Sequence, residues 1–162
     1  AVLYDVGAGT GSVSIEAACQ SGSIQVYAIE KNPEGAKLIG QNQRKFCCDQ
    51  VQIVEGTAPE ALEKLEPPTH VFIGGSSGNL KDILRLVLEK NPDVRIVLNA
   101  ISLETVKEAM EALEEGLLPD AEILQLTAAK SRKLGAYHMM TGQNPVYIIS
   151  AGKQQYRQNE AE

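Results

Sequence analysis

No apolar run in the 162-residue chain approaches the roughly 18 residues that a membrane-spanning helix needs, and no charged stretch followed by an apolar one opens it as a signal would. These absences predict a soluble, cytoplasmic protein. Only three cysteines are present, Cys19, Cys47 and Cys48, an odd number that excludes a complete disulfide framework and suits a reducing compartment. No Cys, His and carboxylate cluster has metal-ligand spacing, so no metal is expected. Positive charge is scarce too: 15 Lys and Arg against 21 Asp and Glu give a net charge of −6, the wrong sign for a partner that is nucleic acid. A chain of this size buries one core, expected over residues 1–152, with a polar tail at 153–162. It opens at Ala1 without a methionine, already inside the strand-like run Val2-Leu3-Tyr4-Asp5-Val6, which predicts that a preceding segment is missing.

What is present is an alternation of short β-branched runs with helical patterns, the signature of βαβ units and a parallel sheet. Strands are predicted at 2–6, 25–30, 51–55, 70–74, 95–99, 121–127 and 146–151. Helices are predicted at 12–20, 33–46, 59–65, 80–90 and 103–115, the second opened by Asn32 as cap and Pro33 at its first position. No helix separates the last two strands, so the final strand can run antiparallel. A dinucleotide-binding sheet keeps alternating to its end, whereas the methyltransferase variant finishes with a reversed seventh strand.

Five constellations carry the chemistry. Asp5-Val6-Gly7-Ala8-Gly9-Thr10-Gly11 lies between the first strand and first helix, where glycines permit positive φ and free amides favour an anionic group. Its glycines fall at every second position, and Ser12 stands where the dinucleotide fingerprint places its third glycine. Glu30, at the end of the second strand, can accept both hydroxyl hydrogens of a ribose or serve as a charge at the next helix start. Together they imply an adenosine-containing ligand with an anionic far end, which S-adenosylmethionine fits. Glu55-Gly56-Thr57-Ala58-Pro59 offers a slot for a flat base, although Pro59 as a helix opener explains part of that pattern. Phe72-Ile73-Gly74-Gly75-Ser76-Ser77-Gly78-Asn79 falls at the expected topological switch point and leaves a low floor for a planar substrate. It lacks the Asn/Asp-Pro-Pro-aromatic run of amino methyltransferases. The long connection carrying Lys130, Arg132, Lys133, Tyr137 and His138 concentrates cations that suit an acidic ligand, or else forms a solvated charged hairpin.

The runs DVGAGTGSVSIEAA, VYAIEKNPEG, VEGTAPEAL, FIGGSSGNL, RIVLNAISLET and SRKLGAYHMMTGQNPVYIISA together resemble the decarboxylating precorrin methyltransferases of cobalamin biosynthesis, which act on carbon 15 of precorrin-6B or its cobalt form. The resemblance covers residues 2–152. It implies an α/β class I methyltransferase fold, a Rossmann-like seven-stranded sheet with a reversed last strand, and S-adenosylmethionine as methyl donor. By the same resemblance Gly7, Ala8, Gly9, Thr10 and Gly11 meet the methionine part of the donor, Glu30 the ribose and Ala58 the adenine. Gly75, Ser76, Asn99, Arg132, Lys133, Tyr137 and His138 become candidates for an acidic tetrapyrrole. The resemblance further implies a homo-tetramer and, in some relatives, fusion to a carbon-5 precorrin methyltransferase domain. A class I methyltransferase for another small molecule and a non-catalytic S-adenosylmethionine-binding module are the alternative readings.

Overall fold

The computed structural model describes residues 1–152; the polar tail expected at 153–162 lies outside the described residues. Seven strands form one sheet in the order β3-β2-β1-β4-β5-β9-β6, with β1 Val2–Val6, β2 Gln25–Glu30, β3 Val51–Glu55, β4 His70–Ile73, β5 Arg95–Ala100, β6 Glu122–Leu126 and β9 Val146–Ala151. The first five pair in parallel, while β9 runs antiparallel to both β5 and β6. The expected reversal of the last strand is present.

Helices α1 Ser12–Gln20 and α2 Pro33–Phe46 cover one face of the sheet, and α3 Leu80–Lys90 and α4 Leu103–Glu114 cover the other. Alternation along β1 sorts its side chains between the two layers. Leu3 joins Ile15, Ala18, Val26, Ala28 and Ile39 under α1 and α2, whereas Tyr4 and Val6 join Ile73, Ile83, Leu84 and Ile96 under α3. The predicted cap of α2 forms: Asn32 Oδ1 accepts from the Glu34 amide at 2.9 Å, with Pro33 next in line. In α4, Ser102 Oγ accepts from the Thr105 amide at 3.1 Å.

Two local expectations are corrected. Residues 59–65 do not make an α-helix but a single 3-10 turn, Glu60–Leu62, held by Leu62 N–H on the Pro59 carbonyl and Glu63 N–H on the Glu60 carbonyl. The segment is short, and Leu62 is its one fully buried anchor, too little apolar surface to hold longer helix. The connection between β6 and β9 takes the solvated charged hairpin form, one of its two readings, as β7 Ala129–Leu134 and β8 Tyr137–Gly142; these form their own two-stranded sheet and bring the strands among the described residues from the expected seven to nine. Every residue of both hairpin strands is exposed, as is every residue of β6.

Candidate functional site

Because β1 leads outward through α1, β2 and α2 to β3 before the chain returns to β4, the carboxyl ends of β1 and β4 part at a topological switch point, where open α/β sheets bind ligands. A cleft of about 210 Å³ opens there, lined by Val6, Gly7, Ile29, Glu30, Lys31, Gly56, Thr57, Ala58, Gly75, Ser76 and Ser77. Gly7, Glu30, Ala58, Gly75 and Ser76 are thus brought together from four separate strand ends.

Gly7 adopts φ +73°, and a Cβ on it would stand 2.7 Å from the Gly75 carbonyl oxygen and 2.9 Å from the Gly75 Cα. Backbone lies against backbone there, which is what draws the turn after β1 up to the loop after β4. Contrary to the expectation of free amides, the turn's N–H groups at Gly7 and Ala8 donate to the Ile29 carbonyl, that of Gly11 to the Ala8 carbonyl, and that of Gly9 to Glu30 Oε2 at 2.7 Å. Their partners come from the end of β2, which the parallel pairing with β1 carries to the same height.

Glu30 is buried, 8% exposed, and its second oxygen Oε1 accepts from the Asn32 amide at 2.9 Å. An ionised carboxylate offers about four lone-pair sites, so two remain toward the cleft. Beneath the turn Asp5 is buried as well. Its Oδ2 accepts from the Ser14 amide at 3.0 Å and the Ser14 hydroxyl at 2.5 Å, while Oδ1 has no hydrogen-bond partner. Burial pushes the Asp5 carboxyl above the usual carboxylate range, the two Ser14 bonds pull it back, and the nearby Glu30 charge adds to the rise.

Other predicted residues lie apart. Ala8, Gly9, Thr10 and Gly11 continue the turn away from the cleft lining. Asn99 sits half-buried in β5, opposite Ile148 of β9. Arg132, Lys133, Tyr137 and His138 occupy the exposed hairpin, outside the cleft. Its register pairs Arg132 with Met139, Lys133 with His138 and Leu134 with Tyr137. Alternation therefore puts Arg132 and Tyr137 on one face and Lys133 and His138 on the other.

Two contributors, Lys31 and Gly35, escaped sequence reasoning, as did the bonds that Ser77 and Asn79 of the predicted floor make. Lys31 Nζ donates to Ser77 Oγ at 2.9 Å, and Asn79 Nδ2 donates to the Ala58 carbonyl at 3.0 Å, so the loop after β4 is tied to the segments leaving β2 and β3. Gly35 in the first turn of α2 leaves room for Glu30: a Cβ there would stand 2.8 Å from Glu30 Cγ and 3.0 Å from the Gly9 carbonyl oxygen. The signal for Lys31 was adjacency to Glu30; for Gly35, Ser77 and Asn79 the pairing is purely tertiary. Among the described residues no group of three or more His, Cys, Asp and Glu is arranged to hold a metal ion, and no helix is long and apolar enough to cross a membrane.

A parallel sheet with one reversed strand, an acid at the end of β2 and a glycine turn after β1 define a class I methyltransferase fold. A structure of an S-adenosylmethionine-dependent O-methyltransferase from Thermotoga maritima shares that fold, with a TM-score of 0.69 at 17% identity over 95% of this chain and 60% of the other. The profile of the precorrin methyltransferase domain matches residues 1–153, and the chain belongs to that family. It is 44% identical over 154 residues, 93% of this chain and 78% of the other, to a protein of Methanothermobacter thermautotrophicus named a probable cobalt-precorrin-6B C(15)-methyltransferase (decarboxylating). The crystal structure of a precorrin-6Y C5,15-methyltransferase from Geobacter metallireducens superposes with a TM-score of 0.85 at 41% identity, covering 94% of this chain and 80% of the other.

Proposed function

We propose that this chain is an S-adenosylmethionine-dependent C-methyltransferase that methylates carbon 15 of precorrin-6B or cobalt-precorrin-6B with loss of the ring C acetate carboxylate. The observation that carries the reading is the buried Glu30 carboxylate, with two bonds fixing the turn and two lone-pair sites left for a ribose diol in a cleft floored by glycines. Bound there, S-adenosylmethionine supplies an electrophilic methyl group on a sulfonium. Glu30 holds the ribose, Gly56, Thr57 and Ala58 flank the adenine, and the turn from Gly7 through Ala8, Gly9 and Thr10 to Gly11 borders the methionine end with Gly7 in the cleft wall, its amides at Gly7, Ala8, Gly9 and Gly11 being engaged within the protein. Gly75 and Ser76 form the floor on the substrate side, low enough for a macrocycle to approach.

The substrate supplies much of its own chemistry. When the carbon–carbon bond to the acetate carboxylate breaks, carbon dioxide leaves and its bonding electrons pass into the conjugated ring, so the protein's work is positioning. No strong base is required at the reacting carbon, and the one carboxylate lining the cleft, Glu30, is held by two backbone amides and assigned to the ribose. Arg132, Lys133, Tyr137 and His138, with Asn99 further in, are the proposed contacts for the substrate's acidic side chains. Because the hairpin stands apart from the cleft of its own subunit, those contacts require a neighbouring copy, and we assign the exposed Leu134, Tyr137, Met139 and Met140 to assembly as a homo-tetramer. The setting proposed is the cytoplasm, which suits three free thiols.

Calorimetry with S-adenosylhomocysteine tests the donor half. Loss of hydrogen bonds to a charged group costs about 1.5–3 kcal/mol, so Glu30→Ala weakens binding on the order of 10- to 100-fold. Unchanged affinity in the folded variant removes Glu30 from the site.

A further inference from the structure

Cys19 and Cys48 are 29 positions apart in sequence, yet their Sγ atoms stand 3.7 Å apart. Cys19 is the penultimate residue of α1, and Cys48 lies in the turn leaving α2 toward β3, on the same face of the sheet. Their environments differ. Cys48 is buried at 2% exposure, with its sulfur 3.5 Å from the Phe46 carbonyl and 4.0 Å from the Ile15 carbonyl. Cys19 is exposed and opens onto a second cleft, between α1 and α2, that it shares with Ser12, Ile15, Glu16, Asn42 and Phe46.

The third cysteine does not compete for Cys48. Adjacent Cα atoms across a trans peptide stand about 3.8 Å apart, whereas disulfides need about 4.4 Å or more. Cys47 Sγ instead faces the Arg44 carbonyl at 3.9 Å, at the end of its own helix. None of the three thiols lines the cleft at the switch point.

We propose that Cys19 and Cys48 are a site of reversible oxidation, closed to an intramolecular disulfide by low-molecular-weight disulfides such as glutathione disulfide. Cys19, the accessible thiol, loses its proton and attacks one sulfur of glutathione disulfide. That bond breaks, one glutathione leaves with the electron pair and takes up a proton, and Cys19 is left as a mixed disulfide. Cys48 then loses its proton, attacks the Cys19 sulfur and releases the second glutathione, which is protonated in turn. Two protein thiols are oxidised and one small disulfide is reduced to two thiols. Burial pushes the Cys48 thiol up, with the Cys19 sulfur beside it adding to the rise, which suits the second role and not the first.

The bond ties the end of α1 to the turn entering β3, constraining the unfolded chain more than the folded one. It raises the thermal midpoint by on the order of 5–10 °C. Affinity for S-adenosylhomocysteine stays within about twofold, because the two clefts share no residue.

The test equilibrates the full chain, without denaturant, against glutathione disulfide and glutathione at several ratios, quenches with iodoacetamide and maps the peptides by mass spectrometry. The expected product is a peptide pair linked through Cys19 and Cys48, in the parent and in Cys47→Ser alike, with the midpoint shift reversed by reductant. Cys19→Ser, at an exposed position, keeps the parent's reduced midpoint and yields no link. A Cys19–Cys47 link overturns the proposal. So do glutathione adducts at Cys19 and Cys47 with Cys48 alkylated or unreacted, and so does a Cys19–Cys48 link that forms only in denaturant.

Discussion

The Glu30 carboxylate and the Gly9 amide stand 2.7 Å apart, so the acid at the end of β2 fastens the glycine turn after β1 while facing the cleft between them. Any change that moves Glu30 moves both walls of the proposed donor site.

Gly35→Ala tests the coupling without touching either partner. The added Cβ meets Glu30 Cγ at 2.8 Å and the Gly9 carbonyl oxygen at 3.0 Å, so the carboxylate must shift. We expect S-adenosylhomocysteine affinity to fall about 10-fold in a folded variant, the loss of roughly one charge-assisted hydrogen bond. Calorimetry read beside circular dichroism checks it; parent affinity would mean that Glu30 has slack.

Asp5→Asn gives a pH signature. Burial raises the Asp5 carboxyl in the folded protein above its unfolded value of 3.8, so in the window just above 3.8 the folded state holds the proton more tightly. Stability owed to this group is present at low pH and declines as pH rises through that window, because the folded state then binds more protons than the unfolded one. Asparagine does not titrate. Urea unfolding of both proteins between about pH 4 and 8 should show the parent losing stability relative to Asp5→Asn as pH rises. A difference that is flat or grows with pH would contradict the assignment.

The hairpin register separates Arg132 from Lys133. Arg132 shares a face with Tyr137 and Met139, and Lys133 shares the other with His138 and Met140. Arg132→Lys, which loses the paired N–H geometry, should lower kcat/KM for the tetrapyrrole about 10-fold with donor affinity intact, and Lys133→Ala, which removes a single point charge from the other face, should lower it less. Steady-state assays with donor binding in parallel decide it; equal losses in both variants would mean that the hairpin acts only as a charged surface.

Leu134 and Tyr137 are 64% and 75% exposed on that hairpin, and β6 exposes Ile123, Leu124 and Leu126. Sedimentation equilibrium of the parent should report a tetramer at micromolar concentration, and Leu134→Ser with Tyr137→Ser should shift it toward smaller species. A parent that sediments as a monomer would leave the hairpin without its proposed partner.

Much of this was readable in the sequence because parallel strands advertise themselves. Buried on both faces, β1, β2 and β4 are short apolar or β-branched runs, and their carboxyl ends carry Gly7, Glu30 and Gly75 into one cleft. The hairpin left a weaker mark and stood only as one of two readings of its segment. With both faces exposed, no alternation of apolar and polar residues marks Ala129–Leu134, and only Gly135 at φ +61° between Leu134 and Ala136 signals the turn. Lys31 and Gly35 were missed because they reach their partners, Ser77 and Glu30, only once β2 and β4 flank β1 and α2 turns back over the sheet.

The central claim is that one chain both transfers a methyl group and removes a carboxylate. Incubation with cobalt-precorrin-6B or precorrin-6B and S-adenosylmethionine carrying a carbon-13 methyl group, followed by mass spectrometry of the tetrapyrrole, tests it most directly. We predict a product that has gained one labelled methyl group and lost one carbon dioxide, formed more slowly with Glu30→Ala at donor concentrations that just saturate the parent. An unchanged tetrapyrrole from a chain that binds S-adenosylhomocysteine would contradict the account and leave a donor-binding module in its place.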